Sequence, residues 1–513
     1  MRLKFWGRSA EPAAPRPTGP TARQKRSYMQ RSLGAILKAA QPGNDKQPSI
    51  PVTPDQLITS SHMAAVARSR QQWGDNDYVR GFVRLIRQNV VGPQGVVMQA
   101  KATNTRGKLD RPTNLALEAD FTEWGRKGSC DVTGKLSWRA IQALAIETAA
   151  RDGEFIVRKI YGKDAGPHGF ALQFIDPQRL PVWYQVERLR SGGFIRHGIE
   201  FNAWGRPAAY HFTSTDANAD GYYSSGGRGL IRVSADEIIH EFIVEMVGQK
   251  RGLPWTSSAL FRLRNVNGFE DAAIQNARAS ASKMGFIQYE DGFGPELDVD
   301  ESVTIDAEPL SFHELPEGAK IAEWSPQFPS SDTAPFLKSQ LRGAATGLGV
   351  PYNELANDLE GVNFSSIRQL TLDAREHYKE IQEWLIEALV APVRDAHLSW
   401  RILNGAVKVK GRPIPTTRLA VCRQVQWQPR RWTWIDPRAD VTSALESMRG
   451  GLADPSDIIR EQGRDPETVF QGIAGTIDAM SEAGIPDEYI KLFMQGKIAG
   501  NMNSKDSQQD NAA

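Results

Sequence analysis

Ser280 and Lys283 stand three residues apart in RASASKM, the S-x-x-K spacing that pairs a nucleophilic hydroxyl with a basic lysine in some hydrolases. The S-D-N and K-T-G motifs that accompany such a pair do not occur, so a small-residue helix is the simpler reading. Asp152 and Glu154, in ARDGEFIV, offer two carboxylates for acid–base work, yet neighbouring turn or strand positions need not aim both at one substrate. SSGGRGL (224–230) is rich in glycine but lacks the full G-x-G-x-x-G that cradles phosphates. G-x-x-x-x-G-K-[ST], H-E-x-x-H and G-x-S-x-G are all missing. The eight histidines are scattered, and Cys130 and Cys422 form no C-x-x-C, so neither a zinc site nor a disulfide framework is indicated. No catalytic, cofactor or metal residue is assigned, and no enzyme activity is expected.

Composition narrows the classes that remain. A chain of 513 residues exceeds the size at which one core usually keeps growing, so two or more packed regions are expected. Mean hydropathy is −0.44 and no apolar run approaches the roughly 18 residues a membrane span requires, so no membrane segment is expected. A net charge of +2 argues against a surface built throughout to grip nucleic acid. The charge is nonetheless uneven: residues 1–31 carry eight Lys or Arg against Glu11 alone, a balance of +7. With EPAAPRPTGP inside it, this reads as a disordered basic arm, in which Arg23, Lys25 and Arg26 are candidate contacts to DNA or an assembly partner.

The elements that must position any site follow from periodicity. His62–Asn89 reads as a helix ended by Gly92 and Pro93. Residues 94–240 turn to short strand-like runs, EFIVRKIY, FALQFI and PAAYHFT, between Gly, Pro, Asp and Asn clusters. Pro254 suits the first turn of a helix reaching about Met284, whose small side chains in DAAIQNARASAS permit close packing in a monomer or an assembly. Strand-like ESVTIDA and KIAEW follow, then a helix over Thr333–Leu348. From Ile367 to Trp400 apolar residues recur at three- and four-residue steps, predicting one helix of about 50 Å that Pro392 should kink or break. A Trp-rich strand region (424–437), short helices over 438–500 and a polar tail complete the α+β pattern.

Between the last two long helices lies LGVPYNELANDLEGVNFSS (348–366), in which Glu354, Asp358 and Glu360 have no Lys or Arg among them. Gly361 and Asn363 suit a loop, since both tolerate left-handed backbone.

That stretch, together with ARDGEFIV, LQFIDPQRL, GIEFNAWGRPAAYHF, GQKRGLPW and WTWIDPRADV in the same order over roughly residues 60–470, resembles the lambda-type portal proteins of tailed bacteriophages. The resemblance implies a portal fold with these parts: arm 1–52, wing 53–255, stem helix 256–285, clip 286–332 and stem helix 333–352. A tunnel loop (353–364), a kinked wing helix with a strand region (365–440), a crown (441–500) and a tail (501–513) complete it. It implies a homo-oligomeric ring of about twelve subunits at one capsid vertex of the virion, assembled in the bacterial cytoplasm, through which double-stranded DNA passes without sequence preference. Its implied partners are the terminase large subunit, which would supply the ATP-driven work, a head-completion adaptor, the major capsid protein and a scaffold. The tunnel loop would bring Asn357, Asp358, Glu360 and Asn363 to the channel, where rings of Asp358 and Glu360 would repel a polymer carrying one negative charge per about 1.7 Å. Two other classes stay open: a hydrolase using Ser280 and Lys283 or the Asp152–Glu154 pair, and a monomeric nucleic-acid binder using the arm.

Overall fold

The computed structural model describes residues 52–213, 229–281, 285–289, 319–323, 333–361, 363–432 and 437–494. Two helices open it, α1 (Pro54–Asp75) and α2 (Asp77–Val90), where the sequence predicts one. Asn76 makes the break: its backbone is extended and its side chain accepts the amides of Tyr78 and Val79, capping α2 before α1 can continue through it. Strand β1 (Val97–Ala100), helix α3 (Arg111–Trp124) and helix α4 (Trp138–Asp152) follow.

The strand runs fall where alternation places them. β2 (Glu154–Tyr161), β3 (Phe170–Ile175) and β8 (Ile238–Phe242) make a three-stranded antiparallel sheet with β2 in the middle. β4 (Phe194–Arg196), β5 (Ile199–Phe201), β6 (Pro207–Phe212) and β7 (Ile231–Ser234) make a four-stranded meander. Helix α5 (Leu260–Ala281) begins six residues after Pro254, which lies in a turn and gives its carbonyl to the Ser257 amide. An antiparallel pair of β9 (Gly285–Tyr289) with β10 (Ala319–Glu323) and helix α6 (Thr333–Leu348) come next. ESVTIDA lies outside the described residues.

After the acidic loop, with its short α7 (Tyr352–Ala356), helix α8 (Phe364–Leu385) passes through a π-turn (Ile386–Val390) into α9 (Ala391–Leu403). This is how the chain accommodates Pro392. The Ala391 amide reaches back to Ile386, five residues away, and this local widening lets the helix continue past a residue without an N–H. Strand β11 (Val425–Gln428) then pairs antiparallel with β1, joining distant parts of the chain. Four helices end the described chain: α10 (Pro437–Arg449), α11 (Pro455–Glu461), α12 (Pro466–Glu482) and α13 (Asp487–Met494).

Most of the core is one cluster. Phe82 and Ile86 of α2, Trp124 of α3, Ile146 of α4, Phe155 of β2 and Tyr378 and Leu389 of the long helix pack within it, so α8 and α9 are braced by the N-terminal helices. Cys130 and Cys422 are both buried free thiols. Among the described residues no helix is long and apolar enough to cross a membrane, and no cluster of three metal-ligating side chains occurs.

Candidate functional site

Three carboxylates meet in the loop between α6 and α8, and the surroundings separate their roles. Gly349 turns the chain out of α6 with φ +68°, Pro351 opens α7, and Asn357 ends it in left-handed backbone at φ 53°, its amide bonded to the Asn353 carbonyl. Asp358 then faces inward. Its Oδ2 accepts from the Tyr352 hydroxyl at 2.7 Å and lies 3.0 Å from Lys338 Nζ, while Oδ1 accepts the Glu360 amide at 2.9 Å. The Tyr352 hydroxyl, the Glu360 amide and the Lys338 ammonium hold its pKa down at about 2. Glu354 accepts from Tyr378 Oη at 2.9 Å, tying α7 to α8.

Glu360 is different. Its side chain is 86% exposed, with Oε2 3.2 Å from Lys338 Nζ, and the neighbouring Leu359 is 65% exposed. Asn363 caps α8, its Oδ1 accepting the Ser366 amide at 2.8 Å. Of the four predicted channel residues, Asn357 and Asn363 thus shape the backbone, Asp358 is a hub of internal bonds, and Glu360 offers its charge outward. Lys338 was not picked out in the sequence: it lies 20 residues before Asp358, on another helix. The loop acids therefore act against one fixed cation, and the net charge at the tip is smaller than the loop's own composition states.

The other predicted carboxylate pair is buried. Asp152 accepts from Arg70 Nε at 3.0 Å and Nη2 at 2.8 Å, and from Arg151 Nε at 3.0 Å. Glu154 accepts from Arg251 Nε at 2.8 Å, the Gly252 amide at 2.9 Å and His240 Nε2 at 3.0 Å. Burial opposes ionisation of Glu154, but Arg251, His240 and His62 outweigh it and hold the carboxyl well below its usual range. Asp152, Glu154 and Arg251 are all fully buried, and Arg251 spends its remaining donors on the carbonyls of Leu180 and Pro177 at 2.9 and 3.1 Å. Glu154 is enclosed on all sides by these partners, whereas Asp152, with Arg70, Arg151 and Asp176, borders a cavity of about 390 Å³.

Glycines press these strands together. Gly153 has φ +93°, and a Cβ there would stand 2.3 Å from the Leu253 carbonyl carbon; at Gly252 it would stand 2.1 Å from the Gly153 oxygen. ARDGEFIV and GQKRGLPW, far apart in sequence, are therefore the two halves of one packing node. LQFIDPQRL joins it through Asp176, which accepts from Arg70 Nη2 at 2.6 Å.

Ser280 falls near the end of α5, whereas Lys283, residues 224–228 of SSGGRGL, and Arg23, Lys25 and Arg26 lie outside the described residues.

A helix pair (α5, α6) flanking an antiparallel strand pair, followed by a short acidic loop and a long buttressed helix, is the order of elements that the portal resemblance implies. The chain belongs to the lambda family of phage portal proteins, whose model matches residues 45–382. It is 34% identical to a probable portal protein of Halomonas phage phiHAP-1 over 451 residues, which is 86% of each chain. Among solved structures it is similar to a chain from the neck of an empty gene transfer agent particle, at 16% identity and a TM-score of 0.41, covering 79% of this chain and 94% of that one. A chain from the virion of a native gene transfer agent particle aligns at 15% identity with a TM-score of 0.40, over 80% and 99% of the two.

Proposed function

We propose that the chain assembles into a closed ring of about twelve subunits at one vertex of the capsid, and that double-stranded DNA enters and leaves the head through its centre. The observation that carries this reading, beside family membership, is the apolar surface left uncovered on the paired helices. Phe261 is 75% exposed, Ile274 51% and Phe336 48%, on helices already held together by the Phe269–Phe336 ring contact at 5.3 Å. Such surface is worth roughly 25 cal/mol per Å² once removed from water, and an adjacent copy of the same chain would remove it.

In this reading α5 and α6 are the stem, residues 286–332 the clip, 353–364 the tunnel loop and α10 to α13 the crown. The clip receives the terminase large subunit and later the head-completion adaptor. The wing meets the major capsid protein and the scaffold, so the ring nucleates the shell. Glu360 projects a ring of negative charge that keeps phosphates from settling on the loop, whereas Asp358 holds the loop's shape.

Light scattering with negative-stain images of the purified chain tests the assembly: particles near twelve subunits with a central hole are expected, and a compact monomer would overturn it. In a packaging assay Glu360→Gln is expected to slow DNA passage while the ring persists, and unchanged packaging and DNA retention would remove its assigned role.

A further inference from the structure

Beside α8 lies a cavity of about 620 Å³, walled by residues 91–97, the end of β11 and the turn before α12. Arg375, Arg430, Arg431 and Arg464 line it with Trp432. The carboxylate among the lining residues is Asp465, and its oxygens accept the Glu467 and Thr468 amides and the Thr468 hydroxyl at 2.8–3.3 Å. Arg375 and Arg430 lie over the Trp432 ring, each 5.6 Å from its centroid. Arg430 is further fixed by the Gln88 carbonyl and Asn89 Oδ1, both at 2.6 Å. Among the described residues Arg430, Arg431 and Arg464 form no ion pair with a carboxylate. Gln428, whose buried Nε2 has no hydrogen-bond partner, also lines the groove. Burial, and then the neighbouring Arg375, depress the pKa of Arg430, and the opposing pull of Glu354 is the smaller effect.

The same helix carries the complementary charge. Asp373, Glu380 and Glu387 are exposed, recur every seven residues and form no ion pair among the described residues. At about 100° per residue a seven-residue step returns within about 20°, so the three make one edge. Measured across the buried stripe of Ala374, Tyr378, Ile381 and Leu385, Arg375 stands about 200–220° round the helix from Asp373 and Glu380, so the arginine and the acidic edge lie on opposite sides of that stripe. A head-to-tail contact that closes by rotation uses two different patches of each copy.

We propose that the arginine groove receives the Asp373, Glu380 and Glu387 edge of the adjacent copy of this chain, making a heterologous salt-bridged contact. The inference rests on the ring reading above. Guanidinium forks match carboxylates as well as phosphates, but this chain supplies the matching carboxylates itself, unpaired and on the opposite flank. The groove sets neighbour orientation and register, while the exposed apolar stem surface supplies area.

The test uses two full-length variants, Arg431→Glu with Arg464→Glu, and Asp373→Lys with Glu380→Lys, followed by light scattering and native mass measurement. Each alone meets itself with like charges and is expected to lose the ring. An equimolar mixture pairs every reversed groove with a reversed edge and every native groove with a native edge, so rings of alternating subunits are expected to return. Rings formed by either variant alone at wild-type concentration overturn the proposal. Should the groove variant form normal rings yet lose retention of a short DNA duplex, the groove binds phosphates instead, and the proposal fails. The milder Arg431→Gln with Arg464→Gln keeps a polar side chain at both positions; at least a tenfold rise in the concentration for half-dissociation is expected, and no rise overturns the contact. Wild-type chain that stays monomeric removes the ring reading and this contact with it, whereas wild-type rings indifferent to all these changes remove the contact alone.

Discussion

At the scale of single residues, the phrases that carry the family resemblance are occupied with packing. Glu154 is enclosed by Arg251, His62 and His240, and removing one member of a buried pair leaves the other charge without compensation. Glu154→Gln is expected to cost about 3–5 kcal/mol, read as a lowered urea midpoint at pH 7. Because the folded-state pKa of Glu154 lies below the ordinary value of 4.5, its contribution is full above that value and lost as pH falls through the folded pKa. The gap between variant and wild type should therefore close in acid. Glu241 behaves oppositely. Burial pushes its pKa up to about 7, so the folded chain holds a proton that the unfolded chain releases from about pH 4.5 upward, and stability falls as pH rises through that window. Glu241→Gln should flatten this slope, and urea midpoints from pH 4 to pH 8 measure it. Sequence picks out Asp152, Glu154 and Asp358 as notable acids but cannot supply their cations, because Arg70, Arg251 and Lys338 approach them only through the tertiary fold.

Elements were legible where one face is buried. The runs EFIVRKIY and FALQFI are β2 and β3 to the residue, and Thr333–Leu348 is α6 as periodicity predicts. Misreadings arise where one side chain or a local turn decides an end: Asn76 divides the first predicted helix by capping a second, and Pro254 serves a turn instead of starting α5. Pro392 is expected to kink or break the long helix, and the regular α-helix does give way at Ile386–Val390 to a π-turn, which absorbs the missing donor. The acidic loop was found for its lack of cations, yet its shape depends on Lys338 from α6. Lys338→Met is expected to leave the helices intact and loosen the loop, with faster amide hydrogen exchange at residues 357–361 and little change elsewhere. Tyr352→Phe should act in the same direction by removing the 2.7 Å bond to Asp358; unchanged exchange in both variants would show that α7 alone fixes the loop.

For the whole molecule, the proposed ring predicts which surface of a single chain becomes covered, and the exposed aromatic groups of α5 and α6 mark where to test it. Phe261 is 75% exposed near the start of α5, so truncating it should cost the isolated subunit no more than about 0.5 kcal/mol. Within a ring the same side chain would be removed from water, which is worth about 2 kcal/mol for a phenylalanine. Each subunit contributes one such contact to a closed ring, so Phe261→Ser should weaken every interface by about 30-fold while leaving the melting of the dissociated chain almost unchanged. Unfolding of the dilute chain and ring mass across a concentration series measure the two effects separately. A ring unaffected by the substitution would mean that Phe261 faces the open channel or solvent, and the seam between neighbouring stems would then have to run along the Ile274 side of α5. A melt lowered as much as the ring is weakened would instead place Phe261 within the subunit's own packing, with α5 supporting assembly only by holding α6 in position.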